Sequence, residues 1–344
     1  MKLTEKEIHG QYAALAKTLT EVESQTNQIK EFFAKQPHKS IAFIGCGSSL
    51  SIAKSLAVTG NMLLDVPAFA IAAGDLWLNF SKYEKQLTDC ILVGISRSGS
   101  TSELLYAFVA AKDVAAGRMA IICAENAPIR ECSDFNIVLP WAFDHSVCQT
   151  SCVTNMYSAG MALIAILSGD NKIVASLKKA AQIGDAFMAK YHDPLKQLAN
   201  QAWDNVVVLA DAELEGLAEE AALAFKEISQ LQSNYYHILD SRHGPMVLIG
   251  PKTAVIIMAT HQDNPHEKAL IADVVKKGAT VIVCSQQPMD IEGIALNAWI
   301  GEEMHHAAAG AMYISLCQLL SYHKSFVVGC DPDAPQGLNP WIKI

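Results

Sequence analysis

Short apolar runs without polar alternation, separated by helix-patterned stretches, constrain this chain more than any other feature. Ser40–Gly45 (SIAFIG), Pro67–Ala72 (PAFAIA), Cys90–Ile95 (CILVGI), Arg118–Cys123 (RMAIIC) and Phe135–Leu139 (FNIVL) are rich in Val, Ile and Phe. Continuous apolarity over so few residues suits strands buried on both faces, as in a parallel sheet. Ser49–Thr59 and Thr101–Val114 between them read as helices, so the alternation predicts a doubly wound α/β unit. The pattern then repeats. Asn205–Ala210, Tyr235–Leu239, Ala254–Ala259, Thr280–Cys284 and Leu296–Ile300 form a second series, with helices over Ala218–Ser229 and His266–Lys277. The expected fold class is α/β, with two subdomains, each a parallel sheet flanked by helices. A chain of 344 residues has room for both. The expected boundaries are an N-terminal helical segment at 1–35, a first unit at 36–170, a second at 195–330 and a tail at 331–344. A helical stretch covers roughly 154–200, a last helix 304–324, and the Pro/Gly-rich tail Asp331–Pro340 should be irregular.

Charge narrows the partners. Twenty-six Lys and Arg against thirty-five Asp and Glu give −9. Neither nucleic acid nor an acidic membrane surface is expected, since both need clustered cations. A backbone pocket can still hold a small anion. The nine cysteines are odd in number, form no CxxC pair and sit in apolar surroundings. With no signal-peptide pattern in Met1–Lys30, they predict a cytoplasmic, thiol-reduced protein. Ala307–Leu320 is too short to span a membrane and reads as a buried helix. No metal and no cofactor are expected: no His/Asp/Glu cluster has ligand spacing, and adjacent His305 and His306 would point about 100° apart on a helix. Gly45 and Gly47 begin a dinucleotide fingerprint that Leu50 fails to complete.

The sharpest local signal is Gly94–Glu103 (GISRSGSTSE), a turn between a strand and a helix. Such a turn aims free amides and the positive end of a helix dipole at one point. Ser96, Ser98, Ser100 and Thr101 add hydroxyls, and Gly99 lets the backbone come close. An ordinary helix cap needs only one hydroxyl, so a phosphate or sulfate cradle is expected. Gly45–Ser49 (GCGSS) has the same placement after the first strand and should border the same crevice. Val147–Asn155, polar and small before an apolar helix, is either a third wall or a plain helix start. The second half lacks a cradle, because Asp211, Glu213 and Glu215 at the corresponding helix start would repel an anion. It supplies Glu220 and Glu227 on one helix face, read individually as members of a solvated stripe, and His243 in an Arg-His-Gly-Pro turn.

Four motifs, GCGSS at 45–49, SRSGST at 96–101, FKEIS at 225–229 and RHGP at 242–245, resemble in order the double-domain sugar isomerase (SIS) family. The resemblance covers roughly residues 5–340. The tail DPDAPQGLN and the Thr4–Gln11 stretch are closer to its tagatose-6-phosphate isomerase-like branch than to the isomerase half of glucosamine-6-phosphate synthase. It implies two flavodoxin-like units, a homodimer, and an aldose/ketose isomerase acting on a hexose or hexosamine 6-phosphate, with or without deamination. Ser96, Arg97, Ser98 and Thr101 would hold the phosphate, Ser48 and Ser49 would line the sugar, and Gln149 and Thr150 would meet the substrate. Glu227 would move the proton between C1 and C2, and His243 would handle ring opening, reaching the neighbouring subunit's site. Two lysines of the synthase are replaced, one by Ala224 and one by Asn339 or Pro340, with Lys343 off register. The missing lysines leave a non-catalytic sugar-phosphate-binding regulator as one alternative, and the proton-transfer core shared within the family leaves a fructosamine 6-phosphate deglycase as another. No glutaminase half is present in the sequence, so ammonia drawn from glutamine is not expected.

Overall fold

The computed structural model describes residues 1–261 and 263–339. Two helices, α1 (Leu3–Ser24) and α2 (Thr26–Lys35), lead into the first unit. It comprises β1 (Ser40–Gly45), α3 (Ser48–Leu63), β2 (Ala68–Ala72), α4 (Ala73–Leu78), α5 (Phe80–Leu87), β3 (Cys90–Ser96), α6 (Ser102–Ala110), β4 (Gly117–Ile122) and β5 (Phe135–Val138). Helices α7 (Ser151–Ser168) and α8 (Asn171–Ala199) connect to the second unit. This runs β6 (Asn205–Leu209), α9 (Glu215–Ile228), β7 (Gln232–Tyr236), β8 (Thr253–Met258), α10 (Pro265–Lys276), β9 (Thr280–Ser285) and β10 (Leu296–Trp299), and α11 (His306–Val327) follows.

All strand pairs are parallel, and the strand orders are β2-β1-β3-β4-β5 and β7-β6-β8-β9-β10. Each is the flavodoxin-like 2-1-3-4-5 order, whose switch point lies between its first and third strands. The expected α/β class with two such subdomains is what the chain adopts. One continuous core runs between the sheets and includes faces of α1, α7, α8 and α11, while smaller cores cover the outer sheet faces.

Three details differ from the pattern reading. The strand expected at Tyr235–Leu239 lies at Gln232–Tyr236. It is an edge strand, half open to water, so polar Gln232 and Asn234 enter it where a buried run was sought. The single helical stretch is two helices, broken at left-handed Gly169 (φ 78°) and restarted by the Asp170 side chain, which accepts from the Lys172 amide. The short helices α4 and α5, between β2 and β3, are not among the expected elements, although Phe80, Tyr83 and Leu87 of α5 follow a helical period. Among the described residues one helix, α7, is long and apolar enough to cross a membrane, and 83% of it is buried inside the fold.

The contact that matters most joins the two units. Helix α9 of the second unit lies on α3 of the first so closely that a Cβ at Gly216 would stand 2.1 Å from the Ser51 carbonyl oxygen and 2.7 Å from the Ser55 nitrogen. Only glycine fits there. Lys54 of α3 closes the same contact on Glu219 at 2.6 Å and on the Tyr235 hydroxyl at 3.2 Å.

Candidate active site

The GCGSS loop leaves β1 and the serine turn leaves β3. These strands are neighbours, so both loops stand at the switch point of the first sheet. Neither helix that follows is capped by a side chain. The hydroxyls gathered there are thus free of the ordinary capping role. Within the turn, Ser96 Oγ accepts from the Gly99 amide at 2.9 Å, and Ser98 Oγ from the Ser100 amide at 3.2 Å and the Ser100 hydroxyl at 2.9 Å. Ser96 and Thr101 hydroxyls are 3.4 Å apart. Part of the expected donor set is therefore used to shape the turn. Among the described residues, the amides of Ser98 and Thr101 have no acceptor.

Gly99 is required for a reason other than ligand approach. At φ 58° a Cβ would meet Ala127 Cβ at 2.6 Å and Ile129 Cγ2 at 3.0 Å, so the turn is pressed onto the chain after β4. Arg97 also departs from expectation. Its guanidinium is buried and aims at protein carbonyls: Nη1 donates to Ser146 at 2.8 Å and Asp144 at 3.4 Å, and Nη2 donates to Val147 at 3.2 Å. Instead of extending toward a phosphate as expected, Arg97 ties the serine turn to the 144–150 loop.

That loop packs on the serine turn through Arg97 and begins at Asp144, three residues before Val147, where the sequence motif starts. Its organiser is Asp144, fully buried, whose Oδ2 accepts from the Thr150 amide at 2.7 Å and the Cys152 amide at 2.9 Å. A carboxylate thereby sits on the N-terminus of α7, which has no local cap. Burial, then repulsion from Glu7, lifts the Asp144 carboxyl from 3.8 to about 6, against the pull of those amides. Glu7 of α1 takes the amides of His145 at 2.6 Å and Ser146 at 3.1 Å, and the Ser146 hydroxyl. Thr150 is buried with its hydroxyl unpartnered among the described residues, and half-buried Gln149 accepts from the Cys152 thiol at 3.2 Å.

Across from these loops stands α9. The solvated stripe expected for its carboxylates is not what forms. Glu220 is 1% exposed, hydrogen-bonded to Ser48, and keeps one buried oxygen without a partner among the described residues. Burial, then the neighbouring Glu227, pushes its carboxyl far above the usual range. Glu227, half-buried, is lifted from 4.5 to about 7 by burial, with Arg97 pulling it back down. Cys148 touches Ala224, about one turn before Glu227, and Ile228, the residue after it, and burial followed by the Glu227 charge raises its thiol. Leu338 of the tail packs on the same patch, and Gln230 donates to the Gln336 carbonyl at 2.6 Å. Asn339 is exposed there, whereas Pro340 and Lys343 lie outside the described residues.

Ser48, Ser49, Ser96, Arg97, Ser98, Thr101, Gln149, Thr150 and Glu227 thus converge on one end of the first sheet. His243 does not join them within the chain. It is exposed beyond the edge strand β7, its amide donates to Asp240 at 2.8 Å, and Leu239, Val247 and Leu248 are exposed around it. Nothing local in the sequence marked Asp144, Glu7 or the burial of Glu220, because each depends on a segment distant in the chain.

The arrangement sets a hydroxyl-rich turn with two open amides among the described residues near a carboxyl group lifted to about 7. The SIS domain model matches residues 36–166 and again 201–328. Glutamine–fructose-6-phosphate aminotransferase (isomerizing) of Chlorobaculum tepidum is 29% identical over 75% of this chain and 44% of its own length. The chain spans about half the length of the curated relatives it matches. Among solved structures, tagatose-6-phosphate ketose/aldose isomerase from Escherichia coli superposes with TM-score 0.85 at 21% identity, covering 99% of this chain and 97% of that one. The C-terminal domain of glucosamine-fructose-6-phosphate aminotransferase from Francisella tularensis does so with TM-score 0.84 at 20% identity, covering 97% and 98%. The chain belongs to the SIS domain family, with two copies of the domain in tandem.

Proposed function

We propose that this protein is a phosphosugar aldose/ketose isomerase acting on an open-chain hexose or hexosamine 6-phosphate. The observation that carries the reading is the Glu227 carboxyl at about 7, set by α9 within electrostatic reach of Arg97 in the serine turn. A general base works best when its pKa lies near the working pH.

The amides of Ser98 and Thr101 and the hydroxyls of Ser96, Ser98 and Thr101 receive the phosphate, and that binding holds the reacting carbons in place. Ser48, Ser49, Gln149 and Thr150 line the sugar. Glu227 removes the proton alpha to the carbonyl, giving an enediol, or an enolamine when C2 carries nitrogen. The same carboxyl returns the proton to the adjacent carbon while the hydroxyl proton passes from the oxygen that becomes the carbonyl to the one that was, so the isomerisation is redox-neutral overall. Glu220, neutral in its buried position, keeps a second negative charge out of the pocket. His243 serves ring opening in the site of a second copy, which the exposed apolar residues beside it favour. Nine unpaired cysteines fit a reducing cytoplasmic setting.

The test is incubation with a panel of hexose, hexosamine and fructosamine 6-phosphates in deuterated water. Solvent deuterium at C1 or C2 of a hexose or hexosamine 6-phosphate is the expected result, with ammonia release marking a deaminating variant of the same reaction. Amine release from fructosamine 6-phosphates alone would make the protein a deglycase. Absence of label and product with every sugar, alongside tight binding, would make it a sugar-phosphate sensor.

A further inference from the structure

Away from the residues above, three helices bring together donors of a different kind. Glu5 and His9 lie one turn apart on α1 and face His192 of α8. One carboxylate oxygen and two ring nitrogens, one from each residue, all lie within 4.8 Å of one another, and all three residues are half-buried. Glu5 and His9 alone make no cluster in the sequence, where no metal is expected; the third donor, His192, enters only through the packing of α1 on α8.

The surroundings fit metal ligation. Asp193 Oδ1 lies 2.9 Å from His192 Nδ1. A carboxylate oxygen can only accept, so Nδ1 carries the proton and Nε2 presents its lone pair. This carboxylate–histidine pairing is the arrangement that orients metal-bound imidazoles. The Tyr322 hydroxyl is hydrogen-bonded to Glu5 and steadies the carboxylate. His323 of α11 stands edge-on to His192, with ring centroids 4.8 Å apart. It is 8% exposed, and its Nε2 is buried with no partner among the described residues. A buried unpartnered imidazole nitrogen beside two further histidines and a carboxylate calls for a ligand of its own.

We propose that Glu5, His9 and His192 form a divalent transition-metal site that ties α1 to α8. Two imidazoles and one carboxylate are a donor set suited to Zn²⁺. The fourth position faces a cavity of about 330 Å³ lined by His192, His323, Tyr322 and Lys196. Water or His323 Nε2 completes the coordination there, and the Lys196 ammonium on the cavity wall limits the affinity. Because α1 also carries Glu7, the metal braces the helix that holds the 145–150 loop.

Full-length protein, stripped of metal by chelation, is titrated with Zn²⁺ by calorimetry and with Co²⁺ by visible absorption. The comparison covers wild type, H9Q, H192Q, the double variant, and H266Q as an exposed histidine elsewhere. One Zn²⁺ per chain is expected in wild type and H266Q, with a tetrahedral Co²⁺ spectrum. Affinity should fall at least about tenfold in each of H9Q and H192Q. Added Zn²⁺ should raise the melting temperature of wild type and leave that of the double variant unchanged. Circular dichroism of the metal-free variants verifies folding, and E5Q replaces any variant that fails it. Absence of stoichiometric Zn²⁺ binding, or affinities in H9Q and H192Q within about twofold of wild type, would overturn the proposal.

Discussion

Replacing Glu227 by Gln tests the pocket by stability as well as by turnover. The native carboxyl titrates near 7, the unfolded one near 4.5. Below pH 4.5 both states hold the proton, and the group contributes nothing to the pH dependence. Between 4.5 and 7 the unfolded chain releases its proton first, so the folded state loses stability as pH rises. Above 7 the full penalty of holding a carboxylate beside Glu220 in a half-dry pocket is present. At 1.36 kcal/mol per unit this amounts to about 3 kcal/mol, and partial solvent screening brings it to roughly 1.5–3 kcal/mol. The amide carries no charge and escapes the penalty. A chain of 344 residues unfolding as one unit has an unfolding entropy near 0.7 kcal/mol/K, so E227Q should melt roughly 2–4 °C above wild type at pH 8. The difference should shrink toward its low-pH value as pH falls through 7 to 4.5. In parallel, turnover should fall about 10²–10⁴-fold while inorganic phosphate still inhibits with unchanged strength, since the cradle is untouched. Scanning calorimetry at a series of pH values and steady-state kinetics read both. A melting difference that stays constant from pH 4.5 to pH 8 would falsify the placement of this carboxyl in a desolvated pocket.

Other consequences follow from particular contacts. Gly216→Ala drives a Cβ into the backbone of α3 and should cost about 3 kcal/mol or more in urea unfolding, with KM raised because α9 can no longer seat Glu227. Asp144→Ala strands the Thr150 and Cys152 amides, so about 2 kcal/mol of stability should be lost together with protection of the first turn of α7 in hydrogen exchange. Thr101→Val should raise KM for any sugar phosphate about tenfold and change kcat far less, the signature of lost ground-state phosphate binding. If the proposed homodimer shares its sites through His243, inactive H243A and E227Q proteins, unfolded together and refolded as a mixture, should recover up to about a quarter of wild-type activity, because half of the pairs then carry one intact site. No recovery would place His243 outside the neighbouring site.

Local pattern was enough for the architecture. Unbroken Val/Ile runs such as SIAFIG and CILVGI can be strands only if both faces are covered, and helices between them force parallel pairing. The serine turn announced itself for a related reason: five hydroxyl residues in seven, between a strand and a helix, exceed what a cap needs. Burial at the site was not legible. Glu220 and Glu227 read as a solvated stripe because their spacing on α9 fits either face of a helix, and only the α3–α9 contact, admitted by Gly216, turns them inward. Arg97 was an anion ligand only by family resemblance, and its guanidinium goes to carbonyls of a loop some fifty residues on.

By itself, then, the order of residues determined two parallel sheets and a hydroxyl-rich turn at the tip of one central strand, since both follow from interactions spanning a few residues. Tertiary structure alone decided which carboxyls lose their water, where Arg97 points, and that Glu5 and His9 meet His192. Those outcomes depend on which distant surfaces close over one another, and desolvation and ligand convergence arise only when they do.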